Sequence, residues 1–125
     1  MKKLHELIKY ASSVKILVPS THKVDQPMSK KEFEAEVDAA LIFLGETFGG
    51  STGTDAIGTW VSSQPPSCGS GSRLIKERVK SVEAYTTSDA LESSIEAVIE
   101  FCEDMKARLG QEAIALIING ELYFI

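Results

Sequence analysis

The sequence predicts an α+β domain of ferredoxin-like type, a βαββαβ sandwich preceded by an N-terminal helix and extended by an added C-terminal strand. Three observations predict it. Residues 29–48 and 88–109 carry apolar stripes at helical spacing, β-branched runs lie before, between and after them, and Asn119-Gly120 joins the last two apolar runs. A chain of 125 residues, 43% hydrophobic and 25% charged, fits one domain over 1–125 with a core of its own.

Leu4, Leu7, Ile8 and Ala11 recur at helical spacing and predict a short first helix, packed on the domain or on a neighbouring subunit. Residues 14–18 are β-branched and apolar, and Pro19 ends that strand in a long polar loop over 19–27. Ser29-Lys30-Lys31-Glu32 is a capping box that starts the first long helix. Its stripe is Phe33, Val37, Ala40, Leu41, Leu44 and Phe48, Gly49-Gly50 stops it, and the off-stripe Ile42 and Phe43 hint at a second contact surface.

Residues 56–62 and 74–86 read as two strands. The Pro- and Gly-rich residues 63–72 between them cannot pack a core and read equally as a lid or as simple disorder. Ser88 or Asp89 caps the second long helix, whose stripe is Leu91, Ile95, Val98, Cys102, Met105 and Leu109, and Gly110 ends it. Residues 113–118 are apolar throughout, as in a strand covered on both sides, and Asn119-Gly120 turns the chain into a final strand at 122–125. One sheet face lacks obvious cover, so a homo-oligomer joined through that face is expected.

The net charge of −5 opposes nonspecific binding to polymeric nucleic acid or an anionic membrane surface. No apolar run reaches the length of a membrane span and no signal-peptide core follows Met1, so a cytoplasmic location is expected. Cys68 and Cys102 match neither a metal knuckle nor a disulfide framework and read as reduced thiols, with Cys102 in the core. The two histidines are not spaced as ligands, so neither metal nor cofactor is expected.

Three features carry candidate chemistry. The first is the loop of Gly49, Gly50, Ser51, Thr52, Gly53 and Thr54, whose glycines and hydroxyls could present donors to phosphate or carboxylate oxygen. It lacks the lysine and following helix of a phosphate-binding P-loop, and its alternative reading is a structural helix stop. The second is Trp60, the only tryptophan, whose ring suits stacking on a purine or filling of the core. The third is Lys76, Arg78 and Lys80, which period two places on one side of a strand, with Arg73 just before them. They read as a phosphate receiver or, because Val82 and Ala84 continue the same side, as the solvated end of an ordinary strand. Glu77, His22 and Asp55 are acid/base candidates by elimination, with no spacing that predicts mutual contact.

Val18-Pro19-Ser20-Thr21, Phe48-Gly49-Gly50-Ser51-Thr52, Gly58-Thr59-Trp60-Val61 and Leu74-Ile75-Lys76-Glu77, in this order, resemble a family of small uncharacterised bacterial and phage proteins, over most of the chain. That resemblance implies no activity. A second likeness, of architecture only, is to compact phage proteins that sequester nucleotide immune signals, and it transfers no residue.

These observations lead to a noncatalytic, homo-oligomeric binding protein. It is expected to hold a small anionic molecule of nucleotide type among Thr21, Gly49, Gly50, Ser51, Thr52, Thr54, Trp60, Arg73, Lys76 and Arg78. The alternative is a small enzyme acting on a polar metabolite, with Glu77 or His22 as general base. A protein-interaction scaffold using Ile42, Phe43 and the open sheet face is the third reading.

Overall fold

A computed structural model describes residues 1–23, 26–62 and 74–125. The chain starts with a single 3₁₀ turn, Leu4–Glu6, and then forms β1 (Ser12–Pro19), the two-residue strands β2 (Thr21–His22) and β3 (Gln26–Pro27), α1 (Lys30–Phe48), β4 (Thr52–Val61), β5 (Leu74–Thr86), α2 (Ser88–Leu109), β6 (Ala115–Ile118) and β7 (Glu121–Phe124). The main sheet runs β4-β5-β1-β6-β7 with every neighbouring pair antiparallel, and β2 pairs with β3 apart from it. This is the expected ferredoxin-like order, with β7 as the added strand.

Both long helices lie on one face. Val14, Ile16 and Val18 of β1, Val82 and Ala84 of β5 and Leu116 of β6 form the sheet side of the core. Val37, Ala40 and Leu44 of α1 and Val98, Cys102 and Met105 of α2 cover them. Burial in this apolar layer pushes the Cys102 thiol up to about 12, so it packs as a small hydrophobe. Cys68 lies outside the described residues.

Local chemistry accounts for the starts of both long helices, the end of α1 and the last hairpin. Ser29 Oγ accepts from the Glu32 N–H at 3.1 Å and starts α1, and Gly49 ends it with φ 93°. The cap of α2 is Thr87, ahead of the expected Ser88 or Asp89 by one or two residues, and its hydroxyl accepts from the Ala90 N–H at 3.2 Å. Asn119 and Gly120 both take positive φ, as the expected tight hairpin requires.

Some expectations change. The first helix is one short turn, and Leu4, Leu7 and Ile8 are exposed rather than packed on this domain. Phe43 stacks on Phe101 of α2 with ring centroids 4.5 Å apart, so it joins the two helices, and Ile42 alone remains exposed. Half of the glycine segment is strand, because alternating threonines favour extended backbone, and only residues 49–51 connect α1 to β4.

Candidate functional site

Strand register positions the site. β1 pairs with β5 only over Val79 to Thr86, so the Leu74–Arg78 half of β5 pairs with β4 alone and overhangs the end of β1. On the sheet face away from the helices, this overhang and the start of β6 enclose a cavity of about 500 Å³. Leu17 and Pro19 of β1, Trp60 of β4, Ile117 of β6 and Leu122 and Phe124 of β7 give it mainly apolar walls. That size lies within the usual range of small-molecule sites.

Glu77 is the polar centre of this wall. Its Oε2 accepts from the Thr21 hydroxyl at 3.0 Å and from the Ser20 backbone N–H at 3.3 Å, while its Oε1 accepts from the Trp60 indole N–H at 3.3 Å. Gly58 lies directly opposite Glu77 in the β4–β5 ladder, and nothing stands within 4 Å of the point where a Cβ would project from it. The missing side chain keeps the space beside the carboxylate open. A second carboxylate, Glu112, also borders the cavity, and the buried Ser62 hydroxyl donates to its Oε1 at 2.6 Å. Among the described lining residues, the charged groups are thus both acidic.

The turn after β1 is braced from the far end of α2. Lys23 adopts φ 53°, and its N–H donates to the Leu109 carbonyl at 2.7 Å. Gln111, itself buried, donates from Nε2 to the carbonyls of Thr21 and Lys23, each at 2.7 Å.

The structure brings together Thr21, Trp60 and Glu77 from the sequence expectations, and it separates the rest. Lys76 and Arg78 share the β5 face of Val82 and Ala84, opposite to Glu77, because neighbouring strand residues point to opposite sides. Lys80, on that same face, is paired with Asp55 at 2.6 Å, and this bond holds the Asp55 carboxyl below its ordinary value. Arg78 instead borders a separate cavity with Ser29 and Phe33 at the start of α1. The basic strand is the solvated end of a strand whose other end is core.

Gly49, Gly50 and Ser51 lie at the opposite end of β4, about 30 Å along the strand from Trp60. Ser51 spends its hydroxyl on the Leu41 carbonyl at 2.7 Å, which fixes the helix stop. Thr52 and Thr54 do face the Trp60 side, but Thr54 is still about 20 Å along β4 from that ring. His22 bonds Glu32 at the start of α1 and does not line the cavity; that contact, then Ser29, holds the Glu32 carboxyl below its ordinary value. Arg73 and the proposed lid at 63–72 lie outside the described residues. Gln111 and Glu112 were not singled out by sequence, because residues just past a glycine helix stop show no period or motif.

No protein-family model and no curated protein matches the chain. Two solved structures do. A phage SAM lyase in complex with S-methyl-5'-thioadenosine is similar over 98% of this chain and 95% of its own, with a TM-score of 0.63 and 16% identity. A phage SAM lyase in its apo state is similar over 100% of this chain and 94% of its own, with a TM-score of 0.62 and 14% identity. At this identity the likeness establishes a shared fold. Both neighbours are enzymes, which overturns the expectation of a noncatalytic, sponge-like protein. The alternative expectation, a small enzyme acting on a polar metabolite, is carried forward. Of its two candidate bases only Glu77 stands at the cavity.

Proposed function

We propose that this chain is a SAM lyase, with the cavity beside Glu77 as its active site. The observation that carries this reading is the fixed carboxylate itself, held by Ser20, Thr21 and Trp60 at the wall of an apolar cavity whose charged groups, among the described lining residues, are Glu77 and Glu112. SAM is complementary to such a site. It carries a sulfonium, an ammonium and a carboxylate at one end, net cationic, and a flat purine at the other, and the low-polarity walls strengthen each charge contact. The Trp60 ring offers a stacking face to the purine, and Glu77 faces the cationic end.

The reaction follows from substrate and product. The bond between the sulfonium sulfur and the methionyl γ-carbon breaks, its electron pair stays on sulfur, and neutral S-methyl-5'-thioadenosine leaves. No second reactant enters. The departing four-carbon fragment restores its own valence either by closing onto its own carboxylate or by giving its β-proton to the Glu77 carboxylate, the candidate base at the cavity. Charge is neutralised in this step, so an apolar, water-poor cavity favours it.

The uncovered sheet face, with Leu122 and Phe124 exposed, supports a homo-oligomeric form of the enzyme. Its site of action is the cytoplasm, where SAM is found. Incubating the purified protein with SAM and following both compounds by liquid chromatography and mass spectrometry tests the reading. Appearance of S-methyl-5'-thioadenosine in step with SAM loss supports it; intact SAM after prolonged incubation with folded protein rejects it.

A further inference from the structure

We infer that Gln111, which borders the cavity but commits its amide NH₂ to the turn at residues 20–23, is the positioning residue for Glu77. The inference rests on Glu77 being the working group proposed above. Three facts lead to it. Glu77 Oε2 takes both of its donors, the Ser20 N–H and the Thr21 hydroxyl, from this one turn, so the turn's position fixes the carboxylate. The turn contains a non-glycine residue with positive φ, Lys23 at 53°, a conformation that persists only where its surroundings over-determine it. What over-determines it is the end of α2.

There the Leu109 carbonyl receives the Lys23 N–H, and the Gln111 amide bridges the Thr21 and Lys23 carbonyls with both of its protons. Two carbonyl acceptors require the NH₂ side of the amide, so the orientation of Gln111 is fixed by its partners. Gly110, with φ 63°, makes the left-handed stop that turns the end of α2 toward Lys23. Gln111 is separated from Thr21 by 90 residues in sequence, and the residue is 7% exposed. The path runs from Gln111 to Thr21 to Glu77 and ends on Trp60, which shares the Glu77 carboxylate.

That last link gives a readout independent of catalysis. Trp60 is the only tryptophan, so its indole N–H gives one isolated NMR resonance that reports on the Glu77 carboxylate. Wild type, Glu77→Gln, Thr21→Val, Gln111→Met, Gln111→Glu and Thr21→Val combined with each Gln111 variant are compared, using whichever Gln111 variant retains a folded spectrum. Gln111→Met keeps the side-chain length and removes both donors, and Gln111→Glu keeps the shape and puts an acceptor against two carbonyls.

The expected result is an indole resonance displaced by the Gln111 change in the same direction as by Glu77→Gln, with a smaller displacement when it is added to Thr21→Val, because only the Ser20 N–H then joins the turn to Glu77. In parallel, kcat/KM on SAM falls about 100-fold, as expected for a misplaced rather than a missing group. An indole resonance at its wild-type position in the Gln111 variant, while Glu77→Gln displaces it, overturns the inference. So does full additivity with Thr21→Val, which marks a merely structural role. Absence of SAM turnover by the wild type rejects the proposed function instead, and the indole resonance still decides the positioning.

Discussion

Replacing Glu77 by Gln separates a structural from a chemical role for this carboxylate, because the two losses differ greatly in size. Gln111 and the turn after β1 are untouched by the change. With its one remaining oxygen in place of Oε2, the amide still accepts from Ser20 and Thr21, and only the Trp60 indole N–H loses its acceptor. That costs about 1 kcal/mol, or a drop in Tm of about 4 °C for a domain of this size. The lost attraction to a cationic substrate is larger. A unit charge pair about 4 Å apart at the edge of a protein is worth about 4 kcal/mol, which lowers kcat/KM by about 10³-fold. Thermal melting and a chromatographic assay of SAM consumption measure the two effects side by side. A folded Glu77→Gln protein that consumes SAM within about threefold of the wild-type rate refutes the reasoning, because Coulomb attraction of this size cannot vanish unnoticed.

Three further outcomes are expected. Gly58→Val projects a side chain into the open space beside Glu77 and suits extended backbone, so melting is unchanged or raised while SAM turnover and heat of S-methyl-5'-thioadenosine binding are lost; retained turnover places the substrate elsewhere. Arg78→Ala leaves kcat/KM unchanged in the same assay, because Arg78 points away from the cavity, and a large fall returns the basic strand to the site. The Glu32 carboxyl is held below its ordinary value of 4.5 first by His22 and then by Ser29. A lowered folded-state value means that its contribution is fully present above 4.5 and is lost as the pH falls through the lowered value. Glu32→Gln therefore flattens the acid side of a melting-temperature profile, and identical acid sides in the two proteins contradict this.

Elements whose determinants are local were legible in the sequence. Alternation over residues 74–86 matched β5 end to end, Asn119-Gly120 formed its hairpin, and Ser29 capped α1. The glycine segment misled because Gly49 explains the helix stop by itself, after which Thr52, Gly53 and Thr54 are already extended. Part of the site was also legible but went unused. Period two in β5 puts Glu77 opposite to Lys76 and Arg78, so a single pocket could not contain all three. The length of β4 likewise forbids Gly50 and Trp60 from touching one ligand. What no local pattern carried was the meeting of Thr21, Trp60, Glu77 and Gln111, since four separated segments converge there through strand register and a helix end.

The most direct test uses SAM isotopically labelled in its methyl group, incubated with the protein alone and resolved by mass spectrometry. Cleavage between sulfur and the methionyl γ-carbon leaves the label in S-methyl-5'-thioadenosine, and the account predicts all consumed label there. Label transferred to any acceptor, or released with adenosine absent from the labelled product, contradicts it, as does a labelled SAM pool that stays whole in the presence of folded protein.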